Sequence, residues 1–195
     1  MLKIAITGSI ASGKSYVLNC FSELSVPIFS FDAKVSEILK NDKLVLDKIK
    51  SQFPTVIEDK LINRRKLGEI VFYNKYLLNK LENILYPILF VKYESFLKKN
   101  IIKNTLLTAT EVPLLFEKKL EKLFDQIILV VCSGRTKLTR ALKRDGMTNE
   151  KFAAIINNQM SDSKKKKLAN FVIDTDVGKV EVKNQVFNLM KKLVI

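Results

Sequence analysis

The chain has 195 residues, 47% of them hydrophobic, enough for one well-cored domain with inserted subdomains and too few for two large ones. It contains no histidine, which excludes a His-based triad, a His metal site and a His phosphocarrier, and leaves proton chemistry to Asp, Glu and Lys. The 34 Lys plus Arg against 20 Asp plus Glu give a net charge of +14, a balance that suits nucleic acid, an anionic membrane surface or phosphate-rich small molecules.

The chain opens on Leu2-Lys3-Ile4-Ala5-Ile6-Thr7, a short apolar, β-branched run that fits a buried parallel strand. Next comes Gly8-Ser9-Ile10-Ala11-Ser12-Gly13-Lys14-Ser15, a full match to the phosphate-loop pattern G-x-x-x-x-G-K-[ST]. Val17, Leu18, Cys20, Phe21 and Leu24 then fall at helical spacing. Strand, glycine loop and helix in this order give the motif its specificity. The glycines let successive N–H groups curl toward one anion in front of the helix's positive end. Residues 8–15 are therefore expected to bind ATP, with Lys14, an exposed loop lysine, at the β/γ-phosphates and Ser15 on Mg²⁺.

Val26-Pro27-Ile28-Phe29-Ser30 reads as a second strand with its proline at the start, and a helix follows. Asp32 stands at the end of that strand, on the rim where ligands bind in a doubly wound sheet. It reads equally as a carboxylate facing an acceptor hydroxyl or Mg²⁺ and as the N-cap of the next helix. Residues 32–100 are mainly helical in pattern, with Pro87 expected to break or kink the last helix. Strand character returns at Thr105–Val112, Ile127–Cys132 and Phe171–Ile173, and the chain closes on an amphipathic helix through Val182, Val186 and Leu189. This alternation points to a parallel sheet covered by helices on both faces.

Between the last two strands, Lys137, Arg140 and Arg144 recur at i, i+3 and i+7, a cationic stripe on one helical face suited to closing over ATP. The run Lys164 to Lys167 is either a solvated helix face or a phosphate-facing edge. Cys20 and Cys132 lie in apolar segments and are expected to be buried thiols. No segment approaches the roughly 18 apolar residues of a membrane span, and the first residues enter a strand instead of a signal peptide, so a cytoplasmic protein is expected.

These segments together resemble the dephospho-coenzyme A kinase family along nearly the whole chain. The resemblance rests on residues 6–15, Asn63-Arg64-Arg65-Lys66-Leu67 through Val71-Phe72, Leu81 to Pro87 and Val112-Pro113-Leu114-Leu115-Phe116-Glu117. It continues through Phe124-Asp125, Arg140 to Gly146, Gln159-Met160 and Ala169 to Asp174. It implies an α/β fold with a P-loop kinase core (1–31, 101–132 and 169–195), a helical substrate-binding insertion (32–100) and a short helical lid (133–168). It implies phosphorylation of the ribose 3′-hydroxyl of dephospho-coenzyme A by ATP with Mg²⁺, Asp32 and Lys14 being catalytic, Arg140 and Arg144 screening phosphoryl charge, and Arg64 helping to bind the acceptor. The acceptor is expected to enter between core and insertion.

The chain also departs from the family pattern. Ser30-Phe31-Asp32-Ala33-Lys34 stands where the family carries Asp-Ala-Asp, and the gapless register puts Asp32 in the catalytic place, whereas the other puts Lys34 there. Tyr86 replaces the usual His before proline, and Asn170 and Thr175 replace an Asp and an Asn. Glu111 holds the acidic position before the Pro-Leu-Leu string, near the metal's water shell. Two alternatives are another small-molecule P-loop kinase and a nucleic-acid-stimulated ATPase. The second lacks a helicase set or an RNA-reading aromatic motif, so neither nucleic acid nor membrane is expected as a partner.

Overall fold

A computed structural model describes residues 1–72 and 74–193; Val194 and Ile195, at the end of the expected core segment 169–195, lie outside the described residues. The chain divides into two compact units, Met1–Ser30 with Asn100–Ile195, and Phe31–Lys99.

The first unit is built on a five-stranded parallel sheet of β1 (Leu2–Thr7), β2 (Ile28–Ser30), β5 (Leu107–Glu111), β6 (Gln126–Val131) and β7 (Phe171–Asp174), in the order β2-β5-β1-β6-β7. β3 and β4 belong to the second unit. The chain leaves β1 to one side for β2 and crosses to the other for β6. This reversal opens a crevice at the carboxyl end of β1, where an α/β sheet binds its ligand. Ile4, Ala5 and Ile6 are fully buried, because a central parallel strand is covered on both faces. One core cluster joins Ile4 and Ile6 to Val17 and Phe21 of α1 (Lys14–Glu23), to Ile128 and Val130, and to Val182 and Val186 of the closing helix α9 (Lys179–Leu193).

The strands at 107–111, 126–131 and 171–174 fall within a residue or two of their expected bounds. Cys20 and Cys132 are both buried free thiols. Between β6 and β7 lie α6 (Gly134–Leu142), α7 (Asn149–Asn157) and α8 (Asp162–Lys166). Among the described residues no helix is long and apolar enough to cross a membrane.

The second unit holds α2 (Phe31–Asn41), α3 (Lys43–Gln52), α4 (Arg64–Phe72) and most of α5 (Lys75–Ile102). Asp42 separates α2 from α3 by capping the latter, its carboxylate accepting from the Val45 amide at 3.2 Å. The mainly helical pattern conceals an antiparallel hairpin, β3 (Ile57–Glu58) and β4 (Leu61–Ile62). Its turn residues Asp59 and Lys60 both have positive φ, 46° and 64°. That is the geometry of a tight hairpin turn, made here without the glycine that would have announced it. Pro87 does not end its helix either. α5 runs on through it, 28 residues in all. The proline is exposed, so the carbonyl deprived of its N–H partner lies on a face that water reaches.

Candidate active site

The phosphate-loop motif lies directly between β1 and α1, as its sequence context requires. Gly8 has φ 152°, and a Cβ there would lie 2.3 Å from the Val130 carbonyl oxygen, so no side chain fits. Gly13 sits just before α1 in the left-handed region at φ 97°. The first amides of α1 have no intrahelical partner by construction and carry the positive end of the helix. Lys14 differs from expectation. It is buried, and its ammonium donates to the Gly8 and Ser9 carbonyls at 3.0 and 2.9 Å, so it braces the loop as well as charging it. The Thr7, Ser9 and Ser12 hydroxyls are buried without a hydrogen-bond partner among the described residues, which marks the loop as a polar cradle.

Parallel pairing sets Ser30 beside Glu111 in register, at the carboxyl ends of β2 and β5. Glu111 is 4% exposed and accepts from Ser15 Oγ through Oε1 and from Ser30 Oγ through Oε2, both at 2.9 Å. A buried carboxylate needs such donors. The serine at position 30 supplies one where a carboxylate would repel Glu111.

Arg140 reaches the loop from α6. Its two terminal nitrogens donate to the Thr175 hydroxyl at 2.9 Å and the Thr175 carbonyl at 2.7 Å, and that hydroxyl donates to the Ser12 carbonyl at 2.7 Å. Ile10 and Ala11 pack against Ala141 and, through Phe152, Ile155 and Ile156, against α7. The Gln159 side-chain oxygen accepts from the Ile10 amide at 2.9 Å.

The expected cationic stripe does not extend to Arg144. α6 stops at Leu142, and Arg144 lies exposed beyond it, followed by Gly146 at φ 68°. Lys137 turns inward to a close ion pair with Asp162. The lysine run is likewise not uniformly solvated or phosphate-facing. Lys165 is fully buried, 2.9 Å from Glu117 Oε1, and Glu117 also accepts from the Met160 amide at 2.9 Å. The Pro113-to-Glu117 string thus anchors the base of the 133–168 region. Removing one partner of a buried pair strands the other charge, so Glu117→Ala should destabilise the fold by about 3–5 kcal/mol. For a chain of this size that is roughly 6–20 °C in Tm, read by thermal melting.

In the second unit, α2 begins at Phe31, so Asp32 is the helix's second residue and not its N-cap. Its exposed carboxylate complements the helix's positive end. Lys34, two residues further on, pairs with Glu37 at 2.5 Å. The Arg64 guanidinium donates to Ser36 Oγ at 2.8 Å, and Ser36 lies one turn from Asp32 on the same face of α2. Burial, then the Glu82 and Asp32 carboxylates, push the Tyr86 phenol above its ordinary pKa, so it remains a proton-bearing donor. Tyr86 packs edge-on to Phe90 at 5.9 Å between ring centres, and Phe90 likewise to Phe31 at 6.1 Å.

Sequence reasoning did not find the roles of Thr175, Gln159 or Lys165. Gln159 stood out only as part of the family resemblance, Thr175 only as a departure from it, and Lys165 only as one of a run of four.

A family model for dephospho-CoA kinase matches residues 2–181. A dephospho-CoA kinase of Agrobacterium fabrum is 34% identical over 193 residues, 99% of this chain and 98% of its own. One of Bartonella henselae is 36% identical over 191 residues, 98% and 97% of the two chains. Among solved structures, a dephospho-CoA kinase from Campylobacter jejuni superposes with a TM-score of 0.65 at 27% identity, over 98% of this chain and 96% of that one.

Proposed function

The chain belongs to the dephospho-CoA kinase family and catalyses ATP-dependent phosphorylation of dephospho-coenzyme A in coenzyme A biosynthesis; on that premise we propose how its own residues carry out the transfer. ATP lies along residues 8–15, its phosphates on the loop amides, with Lys14 at the β/γ-phosphates. Asp32 orients the ribose 3′-hydroxyl of dephospho-coenzyme A for in-line attack on the γ-phosphorus. Phosphoryl transition states are loose, so holding the nucleophile in line matters more than early removal of its proton. Arg64, held on the Asp32 face of α2 by Ser36, helps to bind the acceptor, whose pyrophosphate is anionic. Arg140 and Arg144 screen the charge that spreads over the transferred oxygens.

Mg²⁺ fits the donor set at the loop. Ser15 Oγ and the Glu111 carboxylate are hard oxygen donors 2.9 Å apart, and Mg²⁺ characteristically takes one or two protein oxygens with substrate phosphates and water. When bound it neutralises charge shared between the β- and γ-phosphates. A cytoplasmic setting, with ATP and dephospho-coenzyme A as the partners and no nucleic acid, belongs to the same reading.

The observation that most supports this account is the gathering of Lys14, Ser15, Glu111 and Arg140 around one loop at the carboxyl end of β1. Incubation with ATP, Mg²⁺ and an acceptor panel tests it by mass and retention of the products. Dephospho-coenzyme A should gain one phosphate and co-elute with coenzyme A, while UMP, AMP, shikimate and single-stranded RNA give little turnover. Preferred phosphorylation of another acceptor, or RNA-stimulated ATP hydrolysis, would overturn it.

A further inference from the structure

We propose that Thr175 is a positioning residue for phosphoryl transfer, one that fixes the Arg140 guanidinium against the phosphate loop before ATP arrives; the proposal rests on the charge-screening role of Arg140 given above. Thr175 directly follows β7 and is 4% exposed. Its amide donates to the Val131 carbonyl at 2.9 Å, extending the β6–β7 pairing by one residue and making the backbone at this point part of the sheet. From that anchorage it does three things. Its carbonyl and hydroxyl oxygen together accept the two terminal nitrogens of Arg140, and its hydroxyl proton goes to the Ser12 carbonyl. A hydroxyl has one proton and two lone pairs: the proton lies nearest the Ser12 carbonyl, with the Val131 carbonyl a longer second acceptor at 3.3 Å, and the lone pairs are left to accept from the arginine.

The third contact is steric. A Cβ built on Gly13 would lie 3.2 Å from both Cγ2 and Oγ1 of Thr175 and 3.4 Å from the Arg140 Nη1. Threonine and guanidinium therefore lie directly against the glycine that opens α1, beside the amides expected to hold phosphate. The β-branched side chain has few χ1 options, so the hydroxyl is aimed by its own rotamer. Two of the five guanidinium N–H groups go to Thr175, which leaves three in a fixed fork for the nucleotide. An arginine already oriented loses less freedom on binding than one recruited from solvent.

Steady-state kinetics on Thr175→Val, Thr175→Ser, Arg140→Ala and the Arg140→Ala/Thr175→Val double variant test the role. Thr175→Val keeps the shape and removes the hydroxyl. It should lower kcat roughly tenfold, the scale of one lost charge-assisted hydrogen bond, with KM for ATP little changed. Thr175→Ser should retain most of kcat. In the Arg140→Ala background the valine should cost nothing further, because its effect passes through the arginine. Should Thr175→Val fail to fold, Thr175→Ala serves as the hydroxyl-free variant with the same expected split. Wild-type kcat in the hydroxyl-free variant, equal losses in both backgrounds, or failure of serine to restore turnover would overturn the role of Thr175. A damaged Arg140→Ala beside an unaffected Thr175→Val would do so while leaving the reading of Arg140 intact. A silent Arg140→Ala would refute that reading and this proposal with it.

Discussion

Lys14→Met is expected to lower kcat for phosphoryl transfer by at least ~100-fold, the scale of losing one preorganised charge at the reacting phosphates. Methionine is the chosen replacement because Lys14 is 8% exposed, and its stem contributes packing that alanine would delete. The substitution also removes the ammonium's bonds to the Gly8 and Ser9 carbonyls, so a modest fall in Tm accompanies the kinetic loss. The two effects separate by measurement. Saturating ATP rescues a variant whose loop has merely loosened, but it cannot restore charge missing from the transition state. Near wild-type kcat in a folded Lys14→Met protein would remove the phosphate-loop assignment.

Asp32→Asn is the second large expected effect, a fall in kcat of about 10²–10⁴-fold, the range associated with a positioned acid–base group. Asn keeps the shape of the side chain and removes only its charge. Asp32 is exposed in the first turn of α2, so the change in stability should be confined to the helix-end interaction, about 0.3–1 kcal/mol, or a few degrees in Tm. Unchanged turnover with lowered stability would reduce Asp32 to a favourable charge at a helix end.

The parts of the molecule legible in the sequence are those whose reasons are local. β1, the glycine loop and α1 form one continuous segment, each piece with its own compositional signature, and their order identifies the loop. The parallel sheet was legible for the same reason, since apolar β-branched runs separated by helices have few other ways to be buried. Three features were not legible because their causes lie far away in the chain. Gln159 meets Ile10 across 149 positions and Thr175 meets Ser12 across 163, and no periodicity encodes such a meeting. Lys165 looks like its three lysine neighbours until Glu117 is placed beside it. The hairpin at 57–62 escaped for a local reason. Asp59 and Lys60 adopt the turn without the Asn-Gly signature from which such turns are read.

The strand that carries the phosphate loop has its first sheet partner at Leu107, paired with Leu2, and its second at Gln126, paired with Ile4. During synthesis at about 5–20 residues per second, β1 therefore emerges many seconds before anything exists for it to pair with. Closing so long a stretch of chain before the first rewarding contact makes for a slow-folding topology. Phe31–Lys99, a compact unit, leaves the ribosome whole within that interval. The loop acquires Glu111 next, then Arg140, Gln159 and last Thr175. A nascent chain halted before Thr175 would carry the entire nucleotide motif without the residue that ties Arg140 and the Ser12 carbonyl to the end of β7. The fixed orientation of Arg140 is thus acquired only after every strand of the sheet has been made.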